Sequence, residues 1–304
     1  MRMHNFLILL FLTFFCSLSG FGQERPQLRR NAEDTDQDGV DQGKKKIIKS
    51  IIKNWNIQEG VFQKKVSLDT LQENFHIFHP AYKYALSNTY TGNYGGPYLN
   101  NNFFKRNYSS EFYFTRTREA YLLTPDSIKY FNTTTPFTLL DYSQSENKNT
   151  KNETRFNVLH SQNVSPKLNI TFRFDQARSD GQYNFQANKN NFVSLYSSYN
   201  SDRLNFYGGF IVNRINNEEN GGLLNDDLLL SGKENLIVRL TDTRTELKNA
   251  YFFSLGEYKL GSFSGENENK IFNPVAGAIF SIEFSGNHKI FKEGKDADNS
   301  VYFN

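Results

Sequence analysis

The sequence predicts an all-β chain: an antiparallel up-and-down transmembrane β-barrel, closed or incomplete, preceded by a signal peptide and a polar leader. Three observations point there. Segments after Trp55 alternate apolar and polar residues with a period of two. The connections between those segments alternate short and long. The one long apolar run, at the N-terminus, is shorter than the roughly 20 residues a spanning helix needs.

In chain order, "MRMHNFLILLFLTFFCSLSGFGQ" opens with Arg2, continues with an apolar run from Phe6 to Leu18, and ends on Gly20 and Gly22 flanking Phe21. That is the three-part plan of an export signal, with cleavage expected between Gly22 and Gln23. Residues 1–22 are therefore read as the signal, 23–60 as a polar periplasmic leader and 61–304 as the barrel region. Cys16, the single cysteine, lies inside the signal. The mature chain then has no thiol for disulfides, metal binding or nucleophilic catalysis.

Strand by strand, "KLNITFRFDQ" sets Leu168, Ile170, Phe172 and Phe174 on one face and Asn169, Thr171, Arg173 and Asp175 on the other. "RLNFYGGFIVNR" opposes Leu204, Phe206, Phe210 and Val212 to Asn205, Tyr207 and Asn213. "AIFSIEFSG" opposes Ala278, Phe280, Ile282 and Phe284 to Ser281, Glu283 and Ser285. Short connections are expected at Ser165-Pro166, at "NSD" (200–202) and at 242–248. Longer ones are expected at 179–190, 216–234 and 261–275. A soluble β-sandwich also alternates, but its Greek-key crossings make connection length less regular. In a bilayer every backbone donor and acceptor must be paired internally, which a closed barrel achieves.

Composition agrees with an ordered chain. Mean hydropathy is −0.63, yet 29 Phe and 17 Tyr raise aromatics to 15%, unlike disordered chains. A net charge of +3 without a basic stripe excludes a nucleic-acid partner.

"YTGNYGGPYLNNNFF" (90–104) combines rings, asparagines and breakers; it reads as an interrupted early strand or as an inward-folded constriction. "DTDQDGVD" places Asp34, Asp36 and Asp38, followed by Gly39, at the spacing of the first half of a calcium loop, with Asp41 as a substitute ligand, but the twelfth position is Lys45, not the bidentate Glu such loops need. A solvated acidic linker is the plainer reading, and no cofactor is expected beyond that weak Ca²⁺ candidate. His76 and His79 lack a completing carboxylate or thiolate. "GSFSG" (261–265) has Phe263 where a hydrolase nucleophile belongs. Arg173, Asp175, Arg203, Arg214, Arg239, Glu257, Lys259 and Glu283 are expected to line a lumen and to bias passing solutes through their field.

Five stretches in order, "LDTLQENFHIFHPAYK" (68–83), "YTGNYGGPYLNNNFFKR" (90–106), "YFNTTTPFTLLDYS" (130–143), "HSQNVSPKLNITF" (160–172) and "ENGGLLNDD" (219–227), resemble the Bacteroidota-type putative porin family of the outer membrane. The resemblance implies an outer-membrane β-barrel with a pore function and no catalytic residues. Its partners would be outer-membrane lipid, the barrel-assembly machinery and small polar solutes. Family members generally continue past this length, and the chain ends on Asn304 rather than a terminal aromatic, so the front portion of a longer barrel is expected. The leading expectation is passive diffusion of small polar solutes. The alternatives are a non-channel barrel serving as adhesin or envelope component, and, third, a secreted glycan-active β-enzyme needing a carboxylate pair that no spacing identifies.

Overall fold

In a computed structural model, residues 51–58, 62–66, 79–83, 85, 87–106, 112–145, 152–181, 183–231, 236–265 and 271–294 are described. The expected signal, the Asp34–Asp41 loop and His76 lie outside them. Ile48–Asn304 forms one compact unit.

Its first part is built from short pieces. Strands β1 (Ile52–Gln58), β2 (Phe62–Lys65) and β5 (Tyr130–Thr133) make a three-stranded antiparallel sheet in the order β2-β1-β5. Strand β1 falls within the stretch expected as leader. Strands β3 (Asn88–Tyr90) and β4 (Tyr98–Asn100) pair as a hairpin around 91–97, and a 3₁₀ helix covers Tyr113–Tyr121.

The second part is a seven-stranded antiparallel meander: β6 (Phe137–Ser145), β7 (Glu153–Ser165), β8 (Leu168–Ser179), β9 (Asn188–Asn200), β10 (Leu204–Glu218), β11 (Arg244–Ser264) and β12 (Ile271–Lys292). Each strand pairs with its sequence neighbours, as an up-and-down sheet requires. Connections at 166–167, 201–203 and 265–270 leave from one end of the sheet; those at 146–152, 180–187 and 219–243 leave from the other. The short joint expected at 242–248 is not there: residues from Arg244 onward belong to β11, so 219–243 is one long connection. Among the described residues β6 and β12 are not joined, so the all-β antiparallel expectation holds while closure of the barrel does not appear. No helix among them is long and apolar enough to cross a membrane, which leaves crossing by strands untouched.

The two faces of the meander differ in exposure and polarity. One face carries Asn169, Thr171 and Asp175 on β8, Ser194 and Ser198 on β9, and Asn205, Asn213 and Asn217 on β10, all buried. The other carries Phe156, Val193, Leu195, Phe210, Phe252 and Phe284, all exposed, Phe210 by 57% and Phe284 by 65%. Aromatic pairs run across strands on that open face, Phe210 to Phe252 at 5.0 Å and Phe252 to Phe284 at 6.2 Å between ring centroids. Fully burying one such side chain gains about 1.5–3 kcal/mol. A water-soluble monomer rarely leaves so contiguous a patch uncovered.

What covers the polar face is the first part of the chain. Trp55, Tyr94, Tyr121, Leu123, Ile128 and Tyr130 form one buried cluster with Phe192, Tyr196, Tyr207, Ile211, Ile215 and Phe253 of the meander. Gly209 makes this possible: a Cβ there would lie 2.5 Å from Tyr196 Cβ and from the Leu195 carbonyl oxygen.

Candidate functional site

Polar side chains of β7, β9 and β10 meet the backbone of the covering segment. On β10, Asn213 accepts from the Leu123 N–H at 3.1 Å and donates to the Leu123 carbonyl at 2.8 Å and to Asn249 at 2.8 Å. On β9, Asn188 donates to the Tyr94 carbonyl and Asn190 to the Gly95 carbonyl. Glu153 of β7 accepts from the Tyr94 N–H at 2.7 Å and from Ser179 at 2.9 Å. Asn93 donates to the Gln186 carbonyl, Gln186 returns a bond to the Thr91 carbonyl, and the Tyr196 hydroxyl donates to the Lys129 carbonyl. An irregular segment buried on a sheet must satisfy its backbone groups, and these side chains do so.

Residues 91–96 of the stretch 90–104 are thus docked on the sheet, while Tyr90, Leu99, Phe103 and Phe104 stand exposed. Gly95 has φ +79° and sits against the Asn190 side chain, a position suited to glycine by conformation and by space. His79, beside the hairpin, is ringed by Tyr82, Tyr90, Tyr94 and Tyr121 at centroid distances of 5.2, 5.7, 5.0 and 5.7 Å. Burial, with the charge of Arg155 adding to it, lowers the His79 pKa to about 4, so the imidazole is neutral at pH 7. Burial also raises the Tyr94 and Tyr121 phenols, which keep their protons.

Of the residues expected along a lumen, four are partly or fully buried on the covered face. Asp175 holds Arg155 through two bonds, 3.0 Å from Nε and 2.6 Å from Nη2, and takes a third from Arg173 at 3.2 Å. Glu257 pairs with Lys259 at 3.5 Å and accepts from Asn205 at 2.8 Å. A fifth, Glu283, is exposed but stands opposite Phe253 in the β11–β12 register, on the same side of the sheet. The others lie elsewhere. Arg214 is exposed on the open face, in line with Phe210 and Val212. Arg203 sits in the 201–203 turn with its guanidinium 5.4 and 5.7 Å from the Phe263 and Phe272 ring centres. Arg239, in the long connection, donates to the Leu223 carbonyl.

Sequence reasoning missed Arg155, Glu153 and the asparagines that hold the covering segment. The signal was present: Asn188, Asn190, Asn205 and Asn213 fall on the polar side by the same two-residue period that singled out Arg173 and Asp175. No cluster of metal-ligating residues occurs among the described residues.

A cavity of about 380 Å³ opens between residues 98–119 of the covering segment and the inner sides of β11 and β12. It lies at the end of the sheet where the long connections leave. The family model described as "Putative porin" matches residues 51–304. No curated protein and no solved structure matches the chain.

Proposed function

The chain belongs to the putative porin family, and on that premise we propose that it is an outer-membrane β-barrel protein whose apolar open face meets lipid and whose polar covered face belongs to a lumen. The observation that carries this reading is the split between the two faces: the open one carries exposed Phe156, Val193, Leu195, Phe210, Phe252 and Phe284, while the covered one mixes buried Asn, Ser, Thr and Asp with the cluster around Tyr207 and Ile211. Hydrocarbon removes the cost of those exposed side chains, and paired strands leave no backbone group unsatisfied in it. The ends of the long strands support it too. The open sides of β11 and β12 turn charged toward one end, where Lys292 meets Glu246 at 2.6 Å and Arg244 meets Glu218 at 4.0 Å, as strands emerging from a bilayer should. By the usual plan of such barrels, the turns at 166–167 and 201–203 face the periplasm and the long connections face outward. Residues 1–22 direct export and are removed, and assembly machinery inserts the strands.

The activity proposed is passive diffusion of small polar solutes, with no catalytic step. Arg155, Arg173, Asp175, Glu257, Lys259 and Glu283 set the field along the polar face. Arg214 has no part in it, being on the lipid side. The covering segment gives a second reading its footing. A lumen filled by residues 51–133 suits a barrel with an adhesive or envelope-structural role that passes nothing. Envelope preparations run boiled and unboiled on a gel test the barrel: a heat-dependent mobility shift is expected, and its absence with a soluble product sinks the reading. Recording from the purified chain in planar bilayers separates channel from non-channel.

A further inference from the structure

We propose that the cavity at the long-connection end is a binding site for a small organic anion, a carboxylate carried on a ring-sized apolar body. The inference rests on the barrel reading only for which side of the membrane the site faces. Its floor comes from Tyr113, Phe114 and Leu99 of the covering segment, and its wall from Thr245 and Leu247 of β11. About 300–1,000 Å³ is the usual size of a small-molecule site, and an apolar lining with a few placed polar groups is the usual make-up.

The charges are uneven. Lys105, Arg106, Arg116, Arg118 and Lys289 reach this cavity against Glu119 and Glu219. The whole chain carries 35 basic and 32 acidic residues, so a five-to-two excess is a local concentration. Aromatic rings brace three of these cations: Lys289 Nζ lies 3.9 Å from the Phe114 ring centre, Arg116 5.1 Å from Tyr113 and Arg106 5.6 Å from Phe103. A ring face orients a cation without cancelling its charge. Arg118 is buried, and burial lowers its pKa while the charge of Glu219 opposes that shift. An incoming carboxylate exchanges solvent for the exposed ammonium groups of Lys105 and Lys289, with the guanidinium charges close by. The adjoining rings and leucines take the apolar body. A cation would meet repulsion here, and a neutral ring would gain only the apolar contact.

The test uses the full chain folded in detergent micelles and titrated calorimetrically with benzoate and, separately, with benzyl alcohol. Benzoate is expected to bind saturably, more weakly as salt rises, and about tenfold or more tighter than the alcohol, the scale of one charge-assisted hydrogen bond. The exposed pair Lys105→Gln and Lys289→Gln together should lower benzoate affinity by at least about that factor while the unboiled gel mobility is unchanged, and Lys289→Arg should retain it. Equal binding of benzoate and benzyl alcohol overturns the proposal, as does parental affinity in the folded double variant. Binding is read without conductance, so a chain that binds benzoate but passes no current refutes the channel and leaves this site standing.

Discussion

Replacing Asn213 by Leu should release the covering segment from the sheet while leaving the sheet itself intact. Leu keeps the branched outline of Asn with the same number of side-chain heavy atoms, and at a position only 1% exposed its two methyls add some crowding to the main effect, which is the loss of hydrogen bonding. The substitution strips the buried Leu123 N–H and C=O of their partners on β10 and breaks the bond onward to Asn249. Each orphaned buried group costs about 1–3 kcal/mol, so docking around Leu123 should weaken by about 2–5 kcal/mol. A tenfold change in an opening equilibrium corresponds to ~1.4 kcal/mol, so the Leu123 amide should exchange with solvent tens- to thousands-fold faster. Hydrogen exchange on the detergent-folded protein reads this directly, with the β9–β10 ladder amides as the internal control. Exchange of Leu123 at the parental rate in the folded variant would refute the claim that sheet asparagines hold the segment.

Acidification should loosen the same segment from its other side. The folded state keeps His79 neutral down to about pH 4, whereas the released histidine protonates near its ordinary 6.5, so the contribution of His79 is complete above pH 6.5 and is lost as pH falls toward 4. Protection factors at Tyr94 and Tyr121, corrected for the intrinsic slowing of amide exchange toward acid, should fall across that window, and His79→Phe should flatten the dependence; an unchanged slope in that variant contradicts the assignment. Asp175→Asn should leave Arg155 and Arg173 without their shared carboxylate. The cost should be about 3 kcal/mol, the low end for a broken buried pair, because the Arg173 side chain is 26% exposed; urea midpoints measure it, and no shift would mean solvent already screens the cluster. On β12, Phe284→Arg should cost about 2–4 kcal/mol in a bilayer while Ser281→Arg on the opposite side costs under about 1 kcal/mol. Equal losses on refolding into lipid would remove the distinction between the two faces.

The wall was the legible part of this fold. Strand β8 was readable because Leu168, Ile170, Phe172 and Phe174 alternate with polar neighbours, and that period survives whichever side faces lipid. Strand β11 was only half readable. Its first residues, Arg244 to Lys248, alternate too, but their open side carries Arg244, Glu246 and Lys248, and charge on that side resembles a loop. Which of the two readings of 90–104 holds was not readable, because the partners of its docked part, Glu153, Gln186, Asn188 and Asn190, lie far along the chain. The sheet's share of those bonds follows the two-residue period, but the docked segment itself carries no periodic trace of its partners. Arg214 shows the remaining difficulty: one cation among Phe210 and Val212 obeys the two-residue period, yet charge alone had assigned it to the lumen side.

The orientation of the two faces is most directly tested with tryptophan as a depth probe. The chain has one Trp, at position 55 in the covering segment, so Trp55→Phe provides a silent background. In that background Phe252→Trp and Tyr251→Trp place the probe on adjacent residues of β11 that point to opposite sides of the sheet. After reconstitution in vesicles whose acyl chains carry bromine, fluorescence from the Phe252→Trp protein should be strongly quenched and that from the Tyr251→Trp protein nearly unaffected. Equal quenching at both positions, or none at either, would contradict an apolar face in lipid and a polar face within.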